Sequence, residues 1–446
     1  MEGDPVLRLE LNLGSGPTAP DPILLDTGRL DVNALEIGSS ASWLVLDSST
    51  LGQLDQERLA ADATGAGFWT DISSFCAGAS IRTGRNRALE SYMAGALSAA
   101  LDNEDRRFDP TNAAGPYVSA GGLSAIEPMR PIRAVVTWKG NDYPLFYGFV
   151  DAWPVIWSMA TSTANISATD GMKVLAAYDP SAIGAVGAGE DSGERVNRVL
   201  DNAGWPATAR SIDAGNSPLQ ATTLAANALA EIKLVADTER GQFYMDGLGR
   251  ATFRRRRSRY EDARSIQVQA TFGDADDGIE IPYADVVAAF DDDLLRNQAS
   301  IARVGGTAQT ASDGASISRR QPHTYTRTDL IMTTDAEAAD HARSIVQIFG
   351  SSELRFDGLV LEPATSAEWA AALNLRFGDR LLIRRRPPGG GLIERQCFVE
   401  GLSWDMPADR PWRCNVSLSD ASAWRGFVLD SATLGVLDDA SIVLTY

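Results

Sequence analysis

GASIRTGRNRALESYMAGALSAALDNEDRRFDP, from Gly78 to Pro110, decides the fold class of this 446-residue chain. Ala79-Ser80-Ile81-Arg82 alternates apolar and polar residues and is closed by Thr83-Gly84-Arg85-Asn86. Gly95 to Leu101 is a second small-residue run, closed by Asp102-Asn103-Glu104-Asp105. Both read as strands ended by turns. Ile132–Trp138 and Leu145–Val150 add two more, so the spacing predicts a compact antiparallel β-module. It contains no nucleophile, metal-ligand set or phosphate loop.

The order of signals around this stretch resembles a known family. Arg85, Leu101-Asp102-Asn103, Asp105 to Pro110, Pro116-Tyr117, Pro128-Met129-Arg130-Pro131, Trp138, Phe146, Gly148 and Asp151 follow one another as in the minor tail proteins of long-tailed phages of actinobacteria. Those proteins are similar to the baseplate-hub family, whose β-barrel domains build the ring that ends the tail tube. The resemblance implies two tail-tube-like β-barrel or sandwich domains in one chain and a homotrimer that places six of them in a ring. It further implies neighbours among the tail tube or distal tail protein, the tape-measure protein and other minor tail proteins, with phage DNA passing through unbound.

Composition agrees with a folded, multi-domain chain. The length suggests about three domains, and 44% hydrophobic with 22% charged residues is the balance of a globular protein. Forty glycines and twenty prolines favour many turns and short strands. The net charge of −19 argues against general nucleic-acid binding, which draws on Lys and Arg to neutralise phosphates. An acidic channel wall that repels DNA is the corresponding expectation, with Asp291, Asp292 and Asp293 as candidate lumen-facing carboxylates. The three cysteines, Cys76, Cys397 and Cys414, have no paired spacing, so no disulfide framework is indicated. Cys397 and Cys414 sit in alternating runs as small hydrophobes. No apolar run has the ~18 residues of a membrane span, and MEGDPVLRLEL lacks the basic start of a signal peptide.

Residues 1–63 form a polar N-terminal extension and 64–180 the first tube-like domain. Over 181–258 the period changes. Asp191 and Glu194 make a capping box before Val196, Val199, Leu200 and Ala203, and Gly204 with Trp205-Pro206 ends that helix. Leu224, Ala225, Ala228, Ile232 and Val235 mark a second helix. Gln242–Met245 and Ala251–Phe253 flank a turn and read as a hairpin. The segment is therefore a small helical α/β insert. Strand runs return over 259–425, with one helix capped by Asp335 and a shorter one over Glu368–Leu373, giving a second β-barrel or sandwich, which the resemblance implies is tube-like. The chain thus reads as mainly β with an α+β insert.

Residues 426–446 make a C-terminal arm. Val45–Asp55 (VLDSSTLGQLD) and Val428–Asp438 (VLDSATLGVLD) are identical at nine of eleven positions. Each reads as strand, Asx-type turn and strand. Terminal hairpins covering sheet edges and inter-subunit arms both fit; Leu46, Leu51 and Leu54, or Leu429, Leu434 and Leu437, would be the apolar anchors of such arms.

Catalytic patterns are absent. With only His323 and His341, no HExxH, no GxSxG and no Walker A, neither a hydrolase site nor a nucleotide site is indicated, and no cofactor is expected. His341 reads as a solvated helix residue. Asp274, Asp276, Asp277 and Gly278 approach a calcium loop, but the glycine falls one position early and no closing glutamate follows, so a turn is favoured. The basic runs Arg254–Arg257 with Arg259, and Arg384–Arg386, alternate faces on a strand and cannot form one DNA-reading surface. Pairing with carboxylates of neighbouring subunits is the preferred role. The resemblance implies a structural, non-enzymatic virion protein of a phage tail tip, organising tail-tip proteins for host attachment and DNA passage. The alternative is a cell-envelope glycan-binding or glycan-degrading tail protein. Trp138, Trp153 and Trp157 are expected in core or inter-domain packing rather than in a glycan platform.

Overall fold

A computed structural model of the chain describes residues 4–13, 69–118, 122, 124–157, 162–179, 187–222, 224, 226–422 and 424. The duplicated terminal segments, with Leu46, Leu51, Leu54, Leu429, Leu434 and Leu437, lie outside the described residues. Strands β1 (Val6–Asn12) and β2 (Trp69–Asp71) precede β3 (Cys76–Gly84), β4 (Met93–Asp102), β5 (Pro131–Trp138), β6 (Asn141–Ala152), β7 (Val155–Trp157) and β8 (Ser162–Asp170). In β4, Gly95, Leu97, Ala99 and Leu101 are buried while Ala94, Ala96 and Ser98 are exposed. That period of two belongs to a sheet with one face on a core and one in solvent.

The chain then leaves the sheet through α1 (Met172–Ala177). A first α/β unit follows, made of β9 (Glu190–Asp191), α2 (Ser192–Asn202), β10 (Arg210–Ile212), β11 (Pro218–Leu219), α3 (Ala228–Glu239), β12 (Gln242–Met245) and β13 (Ala251–Arg254). The capping box is present at α2, and β12 pairs with β13 as the expected hairpin. Turns α4 (Ser258–Glu261) and α5 (Ala263–Ile266) lead back to β14 (Val268–Phe272) and β15 (Asp285–Ala289). A second excursion builds β16 (Gln298–Arg303), β17 (Gln309–Ser312), α6 (Gly314–Arg320), β18 (Thr324–Leu330) and α7 (Asp335–Phe349). The chain closes with β19 (Arg355–Leu361), α8 (Ser366–Leu373), β20 (Arg380–Arg385), β21 (Ile393–Pro407) and β22 (Arg413–Asp420).

Fourteen of these strands form one sheet, in the order β15-β19-β22-β21-β3-β4-β8-β6-β5-β1-β2, with β20 and β14 branching from β21 and β7 from β8. The structure is mainly β, as expected, but among the described residues no barrel closes. One core, holding Leu97, Phe108, Val136, Phe356, Leu381 and Trp404, runs beneath strands from both halves. Each α/β unit has its own apolar cluster, around Val199, Ile232 and Phe253 in the first and around Ile301, Ala338 and Ala342 in the second.

Several local readings change. Thr334, not Asp335, caps α7 by accepting from the Glu337 N–H, while Asp335 pairs with Arg303 at 2.7 Å. His341 is buried rather than solvated. It lies between the two α/β units, and burial together with Arg240, Arg327 and Arg256 holds its imidazole well below the ordinary range. Trp138 and Trp153 are buried, whereas Trp157 is 61% exposed.

The two halves of the sheet repeat one plan. In the first, β3, β4, β5, β6 and β8 follow in sequence; in the second, β15, β19, β20, β21 and β22 do. In both sets the first strand pairs with the second, the second with the fifth, the fifth with the fourth and the fourth with the third, always antiparallel. The correspondence extends to register. Phe149 faces Thr169 and Ala152 faces Ser167, with a bulge at Asp151 between them; Phe398 faces Ser419 and Gly401 faces Ser417, with a bulge at Glu400. Val150 exchanges backbone hydrogen bonds with Met129 and Arg130, and Val399 does so with Gly378 and Asp379. Met129 and Gly378 even share a left-handed backbone, with φ of 67° and 82°. The plan differs at one strand, since β1 runs antiparallel to β5 while β14 runs parallel to β20.

The halves meet where β3 pairs with β21, Gly84 opposite Gly401 and Gly78 opposite Pro407. A Cβ on Gly84, whose φ is +93°, would lie 2.4 Å from the Glu400 carbonyl and 2.5 Å from Gly401 Cα. Gly140 is also left-handed, at φ +77°, but has nothing within 4 Å. Gly140→Ala should therefore cost only the backbone term of about 1–2 kcal/mol, and Gly84→Ala clearly more because two strands must part. Urea unfolding of the two variants tests this; equal losses would show that the seam is not closely packed.

Candidate assembly site

β21 is the strand on which the halves join, and it changes neighbour part-way along. Its first part, Ile393–Phe398, pairs with β20, and its last part, Gly401–Pro407, pairs on the same side with β3. Glu400 stands at the change-over, on the bulge, with no exposed surface. Its carboxylate accepts from Arg85 Nε at 2.7 Å, an Arg259 guanidinium nitrogen at 2.6 Å, the Tyr92 hydroxyl at 3.2 Å and the Ser419 hydroxyl. These partners come from the end of β3, the turn after the first α/β unit, the start of β4 and β22. Arg85 also stacks on Tyr92, and Arg259 on Phe398 and Trp424. Burial alone would raise the Glu400 carboxyl, but Arg259 and Arg85 outweigh it and hold the group down at about 2.

The corresponding position in the first half is Asp151. It accepts from Lys173 Nζ at 2.5 Å and from the Thr169 hydroxyl at 2.7 Å. Its side chain keeps 32% of its surface, against none for Glu400. The difference follows from the neighbours, because β3 covers Glu400 whereas among the described residues no strand lies on the outer side of β7 beyond Asp151. At the other end of the sheet, among the described residues, β15 pairs only with β19. Among the described residues, two edges of the sheet are therefore open that correspond to the two sides of its closed seam.

The family-like motif serves this architecture. Asn103 and Asp109, both buried, tie the loop after β4 by accepting from the backbone N–H groups of Phe108 and Thr111, and Phe108 stacks between Tyr117 and Trp153. Arg85 is the seam arginine. The basic runs pair within the chain, which corrects the inter-subunit expectation. Arg254 meets Asp213, Arg256 meets Glu337, Arg259 meets Glu400, and Arg384 and Arg386 converge on buried Glu280. Arg386 also holds Asp274 at 2.9 Å, so that carboxylate of the calcium-like run is engaged by a cation. Among the described residues no three His, Cys, Asp or Glu side chains are grouped to hold a metal ion, and no helix is long and apolar enough to cross a membrane.

Asp291, Asp292 and Asp293 follow the open edge strand β15 and are exposed. Asp291 pairs with Arg355 at 2.7 Å and Asp293 with Arg87 at 2.8 Å, while Asp292 lies 3.8 Å from His323. The Asp291 carboxyl is held below its ordinary range, chiefly by the Arg355 hydrogen bond. A cleft of about 400 Å³ opens beside them, lined by Leu295, Phe349, Arg355 and Trp424 among others.

The sequence does carry a signal for the duplicated plan. Asn165–Asp170 (NISATD) and Asn415–Asp420 (NVSLSD) are the same strand of the two halves, as are Phe149-Val150-Asp151 and Phe398-Val399-Glu400. Each match is too short to stand out without the register that aligns it.

No family model and no curated protein matches the chain. Among solved structures it is similar to the tail protein from Neisseria meningitidis MC58, with 10% identity, coverage of 80% of this chain and 94% of that one, and a TM-score of 0.55. It is also similar to the 43 kDa tail protein of prophage MuSo2 from Shewanella oneidensis, with 14% identity, coverage of 79% and 96%, and a TM-score of 0.52. The fold is thus shared with these two tail proteins over nearly their whole length.

Removing the Glu400 charge leaves Arg85 and Arg259 buried without a carboxylate, so Glu400→Gln should cost about 3–5 kcal/mol. The folded-state value near 2 lies below the ordinary 4.5. The stabilisation is therefore complete above about pH 4.5 and is lost as pH falls toward 2. Denaturant titrations between pH 3 and 7 should show this acid-side loss shrinking in Glu400→Gln; an unchanged slope would remove Glu400 from its cause.

Proposed function

We propose that this chain is a structural protein of a phage tail tip, a hub whose copies form a ring that ends or continues the tail tube. The observation that carries this reading is the duplicated half-sheet, closed once within the chain and, among the described residues, open at the two matching edges. A unit of that kind completes itself by heterologous, head-to-tail contacts that generate a ring. Three copies place six half-sheets around one axis, so a threefold tip can sit on a sixfold tube. The fold shared with two tail proteins supports the same reading.

In this ring the solvent face of the seam forms the channel wall. Ser80, Ser98, Ser167, Ser403, Asn415 and Ser417 lie on that face, exposed or half-exposed. Arg82 and Arg413 share that face, engaged by Asn86 and Glu362, and the small neutral side chains around them add no further cation for passing DNA to bind. Beside the β15 edge Asp292 adds negative charge, while Asp291 and Asp293 hold Arg355 and Arg87 in ion pairs, and repulsion there acts over a screening length of roughly 8–10 Å. The segments Val45–Asp55 and Val428–Asp438 serve as arms that dock on adjacent copies or on the distal tail, tape-measure or other minor tail proteins. The chain works in the virion, after synthesis in the host cytoplasm, by assembly rather than catalysis.

Native mass measurement should return three times the chain mass of 47.7 kDa. A stable sixfold ring of whole chains, or a monomer at every concentration, contradicts the proposal. Deleting Phe427–Tyr446 should leave thermal unfolding of the sheet unchanged but reduce incorporation into tails; normal incorporation would remove the arms from the account.

A further inference from the structure

The correspondence between the halves specifies more than a ring, because it fixes which strands meet between copies and in which register. In the closed seam, Ser80 of β3 faces Asp405 of β21, and Ala79 faces Met406. Each of these has a counterpart in the other half, traced through the paired strands. Ser80 joins Ser98 and then Ser167, while Val287 joins Gly358 and then Ser417. Ser167 and Ser417 are equivalent, since they face Ala152 and Gly401 just beyond the two bulges. Val287 therefore takes the place of Ser80, and Val286 that of Ala79. On the other side, Asp405 faces Arg413 of β22 and Ile156 faces Thr163 of β8. Arg413 and Thr163 stand two residues before Asn415 and Asn165, so Ile156 takes the place of Asp405, and Trp157 that of Met406.

We infer that the β15 edge of one copy pairs antiparallel with the β7 edge of the next, Val287 opposite Ile156 and Val286 opposite Trp157, continuing the sheet across the subunit boundary. This rests on the ring proposed above and assigns its contact surface. Exposure supports it independently of the topology. Ile156 is 54% exposed, Trp157 61%, Val287 50% and Phe290 70%, and all four lie on or directly after two edges that no strand covers among the described residues. At the closed seam the equivalents on the core side, Ala79 and Met406, are 4% and 2% exposed. Trp157 and Val286 become their counterparts once a second copy covers them. An open edge with apolar side chains is a surface for strand addition, and the second copy is the partner that carries the complementary edge.

The test is a cysteine pair. Directly opposite residues of an antiparallel pair hold their Cβ atoms about 4.5–5.5 Å apart, and diagonal neighbours about 7–8 Å apart. Ile156→Cys combined with Val287→Cys, under mild oxidation or with a short bis-maleimide, should shift the chain on a denaturing gel from monomer to covalent trimer. Either single variant should stay monomeric, which also controls for the native Cys76, Cys397 and Cys414. Ile156→Cys with Asp285→Cys, displaced by two residues, should crosslink far less. All substituted side chains but that of Ile156 lie on the β15 edge, and all are exposed, so folding should be retained. If native mass shows a trimer but the double variant links no better than the single ones, the strand assignment is wrong and the ring stands. If the displaced pair links better than the opposite pair, the register is wrong. If the wild-type chain is monomeric throughout, the ring falls and this inference with it.

Discussion

The structure depends on a carboxylate with no access to water. Glu400 sits where β21 drops one neighbour, β20, and takes up another, β3. A strand can change partners only if its ladder is interrupted, and the bulge at Glu400 is that interruption. The unpaired residue points its charge inward, where desolvation would be prohibitive without compensation. Arg85 and Arg259 supply it, one from each side of the junction, with Ser419 and Tyr92 completing the coordination. A buried pair of this kind is weak evidence for net stability, and fixing register is its best-attested use. A shift of β3 along β21 would take Arg85 away from Glu400 and leave its largely buried guanidinium without that carboxylate. The network thus selects one alignment of β3 on β21, and that alignment sets the angle between the half-sheets.

The excess of acidic residues gains a different meaning in this light. The charge of −19 does not come from a shortage of used cations, because the arginine runs are spent inside the chain. Glu280, fully buried, is held at about 2, chiefly by Arg386. Arginine suits these sites because its planar, permanently charged group can meet two carboxylates or stack on a ring at once. The unpaired remainder is acidic, which keeps the outer surface unfavourable for duplex binding.

Much of the local structure is legible in the sequence, because it follows from short-range rules. Alternation located the strands from Ala79 to Asp170 and from Val268 to Ser419, and Asp191 with Glu194 located the start of α2. What escaped is long-range. Pairing of Gly84 with Gly401 spans over 300 positions, and nothing in either strand announces the other, so two separate barrels were the natural expectation in place of one continuous sheet. His341 escaped because its helix shows a polar flank at Asp340 and Arg343, while the arginines that surround it come from three other elements. Trp157 was assigned to packing by its neighbours in sequence, yet it lies exposed on an edge that no strand covers among the described residues. The near-identical terminal segments drew attention as the repeat, while the deeper duplication, NISATD with NVSLSD, is spread over residues whose identities drift and whose spacing holds.

The central claim is that one junction geometry is used twice, once within the chain and once between chains. A cryo-EM reconstruction of the assembled ring measures this directly. The account predicts six half-sheets around the axis, with the rotation across the β3–β21 junction equal within error to that across the subunit boundary, and β15 lying against β7. A ring in which β15 and β7 both face solvent, or in which the two rotations differ so that the half-sheets fall into three separated pairs, would contradict it.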